Sequence, residues 1–245
     1  MNKTERLTQL FGKRITHGDF APGVALPSEA DLCEQFGVSR NVIREVVKVL
    51  ATKRLIDAQR NRGLFVMPSE RWNYLDADVL EWTLEKGSHP SLIRSLIEVR
   101  GLIEPIISRW AAERATAVDL VDIEASFNVM AANPSRLDVF HEADIRFHRA
   151  VLIASHNVVM QQLSDAVSAL QRAIFDLTFV HEAADMAMAI QEHRDLLEAI
   201  RLKLPDTAES ASRHMIERTA QRTLLGMARG HGKIRGPSPI TEMDS

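Results

Sequence analysis

Residues 26–66 read LPSEADLCEQFGVSRNVIREVVKVLATKRLIDAQRNRGLFV, and the order of caps, apolar spacings and turn residues in this stretch decides how the rest of the chain is read. Ser28 can cap a short helix, Asp31 three residues on completes a weak capping box, and Gly37 stops the helix. Ser39 stands as the cap of a second helix, with Val38 and Ile43 placed to staple across its start. In that helix Val42, Ile43, Val46, Val47 and Leu50 recur at spacings of three and four, so one face packs inward. Arg40, Arg44 and Lys48 form a separate stripe with Asn41 beside it. An apolar back with a basic, hydrogen-bonding front suits a helix entering a DNA major groove. Arginine can bridge guanine O6 and N7, asparagine can pair with adenine, and the remaining cations reach phosphates.

After Arg54, LIDAQ and LFV have the character of two short strands joined across Arg60-Asn61-Arg62-Gly63. Gly63 permits a positive φ, and two arginines at a hairpin tip suit a wing lying along the DNA backbone. The stretch therefore predicts a winged helix-turn-helix whose DNA-contacting set is Ser39, Arg40, Asn41, Arg44, Lys48, Arg60, Arg62 and Gly63. From Val38 to Arg62 there are seven Lys/Arg against two Asp/Glu, in a chain whose net charge is -3. Positive charge is concentrated where DNA would lie.

These residues resemble the N-terminal domain of the GntR superfamily of bacterial transcription regulators. The pattern runs through Leu26-Pro27-Ser28-Glu29, Gly37-Val38-Ser39-Arg40, Arg44-Glu45 and Arg62-Gly63. Two positions depart from it: Ala30 stands where the family usually carries a DNA-contacting arginine, and Asn41 replaces a common threonine. The resemblance implies double-stranded operator DNA as partner, and the departures imply an operator unlike the family consensus.

At 245 residues there is room for two domains. Aromatic residues make up 5% of the chain, which favours helix over sheet. Cys33 is the single cysteine, so no internal disulfide forms and a reducing compartment is expected. No apolar run approaches the roughly 20 residues that span a bilayer, and the polar start MNKTERLTQLFGKRI is unlike a secretory signal. A cytoplasmic protein without a membrane partner is expected. The domains predicted are 1–68 for DNA binding, 69–73 as linker, 74–226 as an all-helical bundle and 227–245 as a disordered tail rich in Gly, Pro and polar residues. A first helix over Thr4–His17 should pack on the helix pair. In the bundle, about seven helices begin near Asp76, Ser91, Ala117, Ser135, Asn157, Glu182 and Asp206, and Pro105 should kink or locally break the second. The fold class is thus mainly α.

Inside the bundle, Asp144 and His148 lie four apart on the inward stripe formed by Phe140, Phe147 and Val151. His193 shares a face with Ile190, Leu197 and Ile200, whereas His214 sits with Ala211 and Arg218 on a less clearly apolar stripe. One carboxylate and up to three imidazoles would suit Zn²⁺ or a similar divalent ion. The spacing matches no metal motif, and periodicity equally allows His148 and His193 as hydrogen-bonded core residues and His214 as a surface one. Arg100 shares a face with Ile93, Leu96, Ile97, Ile103 and Ile107. It reads either as an internal ion pair with Glu104 or as a bidentate clamp for a carboxylate ligand. His141, His156 and His181 fall at the surface, and Asn157 reads as a helix cap.

The bundle resembles the FCD ligand-binding domain of the FadR subfamily, and the combined likeness covers about residues 5–226. It implies Asp144, His148, His193 and His214 as metal ligands and a small organic acid beside the metal, which agrees with the clamp reading of Arg100, and a sugar acid (aldonate) is the effector class expected. The reading that follows is a ligand-responsive repressor, acting as a homodimer on a palindromic operator. Two others stand beside it: a regulator whose effector is the metal ion, and a metal-dependent enzyme. Against the enzyme, no motif positions a nucleophile or general base.

Overall fold

The computed structural model describes residues 2–59, 62–85, 89–163, 167–168, 171–172 and 183–228. The chain divides into two compact units, 1–86 and 87–245.

In the first unit, α1 (Lys3–Thr16) starts at a capping box in which Asn2 accepts from the Glu5 amide and Glu5 accepts in return. The box predicted at Ser28 and Asp31 opens α2 (Glu29–Phe36), which ends on Gly37 in the left-handed region, φ 57°. Then α3 (Arg40–Thr52) buries Ile43, Val46, Val47 and Leu50 against Leu7, Phe11 and Ile15 of α1. Strands β1 (Ile56–Gln59) and β2 (Gly63–Val66) pair antiparallel, Ile56 opposite Val66 and Gln59 opposite Gly63. Gly63 has φ 101°, a backbone angle that side-chain-bearing residues avoid. Among the described residues these are the only paired strands.

The division after residue 86 puts α4 (Ala77–Glu85), which packs on α1, in the first unit, with the stretch 69–73 expected as a linker preceding it. The Trp82 ring lies where a Cβ on Gly12 would be, 2.0–2.7 Å from three of its atoms. Lys53, 8% exposed at the C-cap of α3, sends its Nζ to Asp76 Oδ1 (2.7 Å) and Asp78 Oδ2 (2.8 Å) at the start of α4. Burial disfavours its charge, and the two carboxylates outweigh that, so its pKa rises.

In the second unit the described helices are α5 (Pro90–Arg114), α6 (Ala117–Ala132), α7 (Leu137–Ala154), the short α8 (Val158–Gln161), α9 (Ala183–Arg201) and α10 (Pro205–Ala228). Each begins within two residues of its predicted start. α5 runs on through Pro105, whose missing N–H leaves the Gly101 carbonyl without its helical donor. Thr116 and Asp119 form a reciprocal cap on α6, and Asn157 caps α8 by accepting from the Val159 and Met160 amides. The core joins Ile107 and Ala111 of α5, Ile123 and Met130 of α6, Phe140 and Phe147 of α7, Leu196 and Ile200 of α9, and Met215 of α10. Among the described residues no helix is long and apolar enough to cross a membrane. Arg60, His181 and the tail from residue 229 lie outside the described residues.

Candidate functional site

The residues expected to contact DNA are carried by α3 and the β1–β2 hairpin. Ser39, Arg40, Asn41, Arg44, Lys48, Arg62 and Gly63 are all exposed, while Ile43 one turn into α3 is completely buried. Ser39 has the extended backbone of an N-cap, φ -70° and ψ 156°, but its hydroxyl makes no cap hydrogen bond. That oxygen is available to a phosphate. Arg44 Nε sits 3.4 Å from Glu29 Oε2, and Lys48 Nζ is 4.0 Å from Glu45; both contacts are solvent-exposed and weak enough to yield to a stronger anion. At the hairpin, the Arg62 guanidinium lies over the Phe65 ring, 5.8 Å from its centroid. Arg60 falls outside the described residues.

In the helical unit, α7 and α9 bring Asp144, His148 and His193 together, with one ligand atom from each lying within 4.8 Å of the others. Asp144 Oδ1 is 2.9 Å from His193 Nε2 and 3.8 Å from His148 Nε2. The far side of the His193 ring is held, and that of His148 faces a carboxylate. His193 Nδ1 stands 2.7 Å from the Ala189 carbonyl, and His148 Nδ1 is 3.5 Å from Glu104 Oε2. The backbone acceptor on Nδ1 leaves the Nε2 of a neutral His193 as a lone-pair donor aimed inward, the arrangement that metal-ligating histidines show, and the nearby Glu104 carboxylate favours the same tautomer of His148.

The His193–Asp144 contact has the distance of a hydrogen bond without its alignment, and His193 Nε2 is otherwise a buried nitrogen with no partner. In the neutral ring that donates through Nδ1, an Nε2 lone pair faces the Asp144 oxygen, a pairing that either a proton or a metal ion on Nε2 makes favourable. Burial opposes charge on Asp144, but His193, His148 and Arg100 outweigh it and hold the carboxyl well below the usual carboxylate range. Burial lowers the His148 pKa, so that ring is neutral. The same burial acts on His193, where Asp144 outweighs it and raises the pKa. Ionised Asp144 and neutral His148 are the forms that bind a divalent ion, and an oxygen with two nitrogens is a donor set that suits Zn²⁺ while leaving coordination positions open.

His214 does not join them. On α10 the inward face is taken by Ser212, Met215 and Ile216, and His214 is exposed, so the predicted set of four is three in this structure. His141, expected at the surface, is half-buried, and His156 is exposed with Nε2 2.8 Å from Asp119. Arg100 is buried with its Nε and Nη2 both on the Glu104 carboxylate, the internal ion pair that periodicity allows. Glu104 thus serves Arg100 and His148 at once. The sequence signals only its spacing of four from Arg100. A narrow cavity of about 10 Å³ adjoins this group, lined by Glu104, Ile107, Ser108, His148, Val151, Leu152 and Val167.

Residues 3–66 match the profile of the bacterial regulatory proteins of the gntR family, and residues 95–218 match the FCD domain. The chain belongs to the gntR family. This gntR-family regulator binds DNA through its N-terminal unit and carries an FCD domain behind it. It is 52% identical to the galactonate operon transcriptional repressor of Escherichia coli K12 over 91% of its own length and 97% of that protein's. It is 28% identical to the Glc operon transcriptional activator of the same organism, over 96% and 94% of the two chains. Among solved structures, the Listeria monocytogenes regulator Lar superposes with a TM-score of 0.64 at 15% identity, covering 92% of this chain and 98% of that one. That likeness concerns the fold. The FCD match spans Arg100, Glu104, Asp144, His148 and His193.

Proposed function

We propose that this regulator represses a sugar-acid catabolic operon and is released by an aldonate such as D-galactonate. The effector would bind beside a divalent ion, Zn²⁺, held by Asp144, His148 and His193. The observation that carries the reading is the convergence of two Nε2 atoms on Asp144, with the Ala189 carbonyl behind the His193 ring and the Glu104 carboxylate near that of His148. The 52% identity to a galactonate operon repressor supports the effector class. In the same reading Arg100 receives the effector carboxylate by exchanging it for Glu104, one bidentate partner for another. Two copies related by a two-fold axis would place their α3 helices in major grooves roughly 34 Å apart. An aldonate is far larger than a cavity of about 10 Å³, so its binding requires the lining to move. That movement is what gives the effector a preference for one conformation, without which it could not shift DNA affinity.

One observation favours a second reading, in which the ion itself is the effector: the cavity as it stands has room for about one water-sized group. Operator binding by fluorescence anisotropy separates the two, using DNA from upstream of the protein's own gene with a panel of aldonates before and after chelation. Release by one aldonate that chelation prevents supports the repressor with a metal-anchored effector. A response to chelation with none to any acid supports the metal sensor and sinks the aldonate reading. Metal analysis of variants tests the ligand set: His193→Ala should lose bound metal and aldonate affinity together, and His214→Ala should keep its metal. Turnover of an aldonate by the purified protein would overturn the assignment as a regulator without catalysis.

A further inference from the structure

We propose that Gln171 is a specificity residue of the effector pocket, its amide reading a hydroxyl of the polyhydroxy acid. This deepens the function proposed above and rests on it. Gln171 is 4% exposed, and both of its terminal atoms, Oε1 and Nε2, are buried without a hydrogen-bond partner. A primary amide offers two donors and an acceptor, and leaving all of them unused in the interior is unfavourable. Proteins retain such a group where a ligand completes it.

Its place in the fold says which ligand. Val167 lines the cavity shared with Glu104 and Ser108 of α5 and with His148 of α7. Gln171 follows four residues later and both positions are α-helical, the spacing at which residues of a helix share a face. In this proposal the unpartnered amide extends the cavity wall bearing Glu104 and His148. The division of chemistry is complementary. Asp144, His148, His193 and Arg100 supply charge and metal donors for a carboxylate, whereas a neutral amide can donate to and accept from an alcohol at the same time. An amide is a poor Zn²⁺ ligand beside imidazole and carboxylate, so Gln171 belongs with the effector and not with the ion.

The experiment uses the full chain, loaded with Zn²⁺, and compares wild type, Gln171→Met and Gln171→Asn. Three quantities are read: melting temperature without aldonate, bound metal, and affinity for D-galactonate and its 3-deoxy analogue. In Gln171→Met the melting temperature should hold or rise, because an unsatisfied amide has been replaced by an apolar chain of similar length. Metal content should stay at the wild-type value. Affinity for D-galactonate should fall roughly ten- to a hundredfold, as expected for losing one buried hydrogen-bond partner, and discrimination against one deoxy analogue should collapse. If that analogue is not the 3-deoxy compound, the 2-, 4- and 5-deoxy acids identify the hydroxyl. Gln171→Asn, with its amide withdrawn by one methylene, should lie between. Wild-type affinity for D-galactonate in Gln171→Met overturns the role whatever happens to the melting temperature, and a lowered melting temperature with intact affinity assigns Gln171 to packing. Wild-type protein that binds no aldonate is a different failure and removes the proposed function itself.

Discussion

Glu104 holds His148 from behind: its Oε2 lies 3.5 Å from His148 Nδ1, while the same carboxylate is gripped by Arg100. The contact is long for a hydrogen bond, so it biases the ring and does not lock it. Arg100 and His148 therefore share one charged group.

Glu104→Gln tests that sharing. The substitution keeps the shape, removes the charge that favours a proton on Nδ1, and leaves the buried Arg100 without its counter-ion. Metal affinity, measured by competition with a chelating dye, should fall about ten- to a hundredfold, the usual effect of losing an outer-shell partner. Urea unfolding should show a loss of about 3 kcal/mol, because one partner of a buried pair has been removed. Wild-type metal affinity would detach Glu104 from the site.

At the DNA face, Arg44→Ala should weaken operator binding by about 1–3 kcal/mol if Arg44 reaches a base edge. Lys48→Ala should weaken binding to all sequences alike and reduce the salt slope by about 1, as expected of a phosphate contact. Both side chains are exposed, with weak acidic neighbours, so unfolding and aldonate affinity should be unchanged. Equal operator affinity in Arg44→Ala would remove it from the recognition set.

The seat of α4 can be probed at Gly12. A Cβ there would meet the Trp82 ring at 2.0–2.7 Å, and the ring is 5% exposed with little room to withdraw. Gly12→Ala should destabilise the first unit by about 1–3 kcal/mol or more, as overpacked sites do. Trp82→Leu in the same chain should recover part of the loss in a double-mutant cycle of thermal unfolding. Additive effects would show that the two residues do not press on each other.

Asp119 predicts a pH dependence. Burial pushes its carboxyl pKa up, but the Thr116 hydroxyl and amide and the His156 ring outweigh this, and the pKa is lowered in the folded state. A lowered folded value means stability that is present above the unfolded carboxyl pKa, about 4, and is lost as pH falls through the folded value. Asp119→Asn should therefore be less stable than wild type at pH 7, by about 1 kcal/mol, the usual worth of a cap. The gap should narrow as pH drops below about 4, read by chemical denaturation at several pH values. A gap that is constant across that range would remove the charge from the account.

Much of this protein is legible from local sequence. The capping boxes at Ser28–Asp31 and the cap at Asn157 involve residues within three positions of each other, and Gly37 and Gly63 adopt the positive φ that their turns require. The helix starts and the buried stripe of α3 follow from spacing alone, because a helix turns about 100° per residue whatever surrounds it. Asp144, His148 and His193 were readable to the extent that each lies on an apolar stripe.

Tertiary packing decided the rest. Periodicity says that residues share a face, but which neighbour that face meets depends on how each helix is rotated and how far it is shifted along its axis. Met215 and Ile216 turned α10 so that His214 points outward, and the weak apolar character of its stripe gave no warning. Trp82 drew α4 onto Gly12, within the first unit. Glu104 acquired its second partner, His148, only because α5 and α7 pack side by side, a contact across 44 positions that no local pattern encodes.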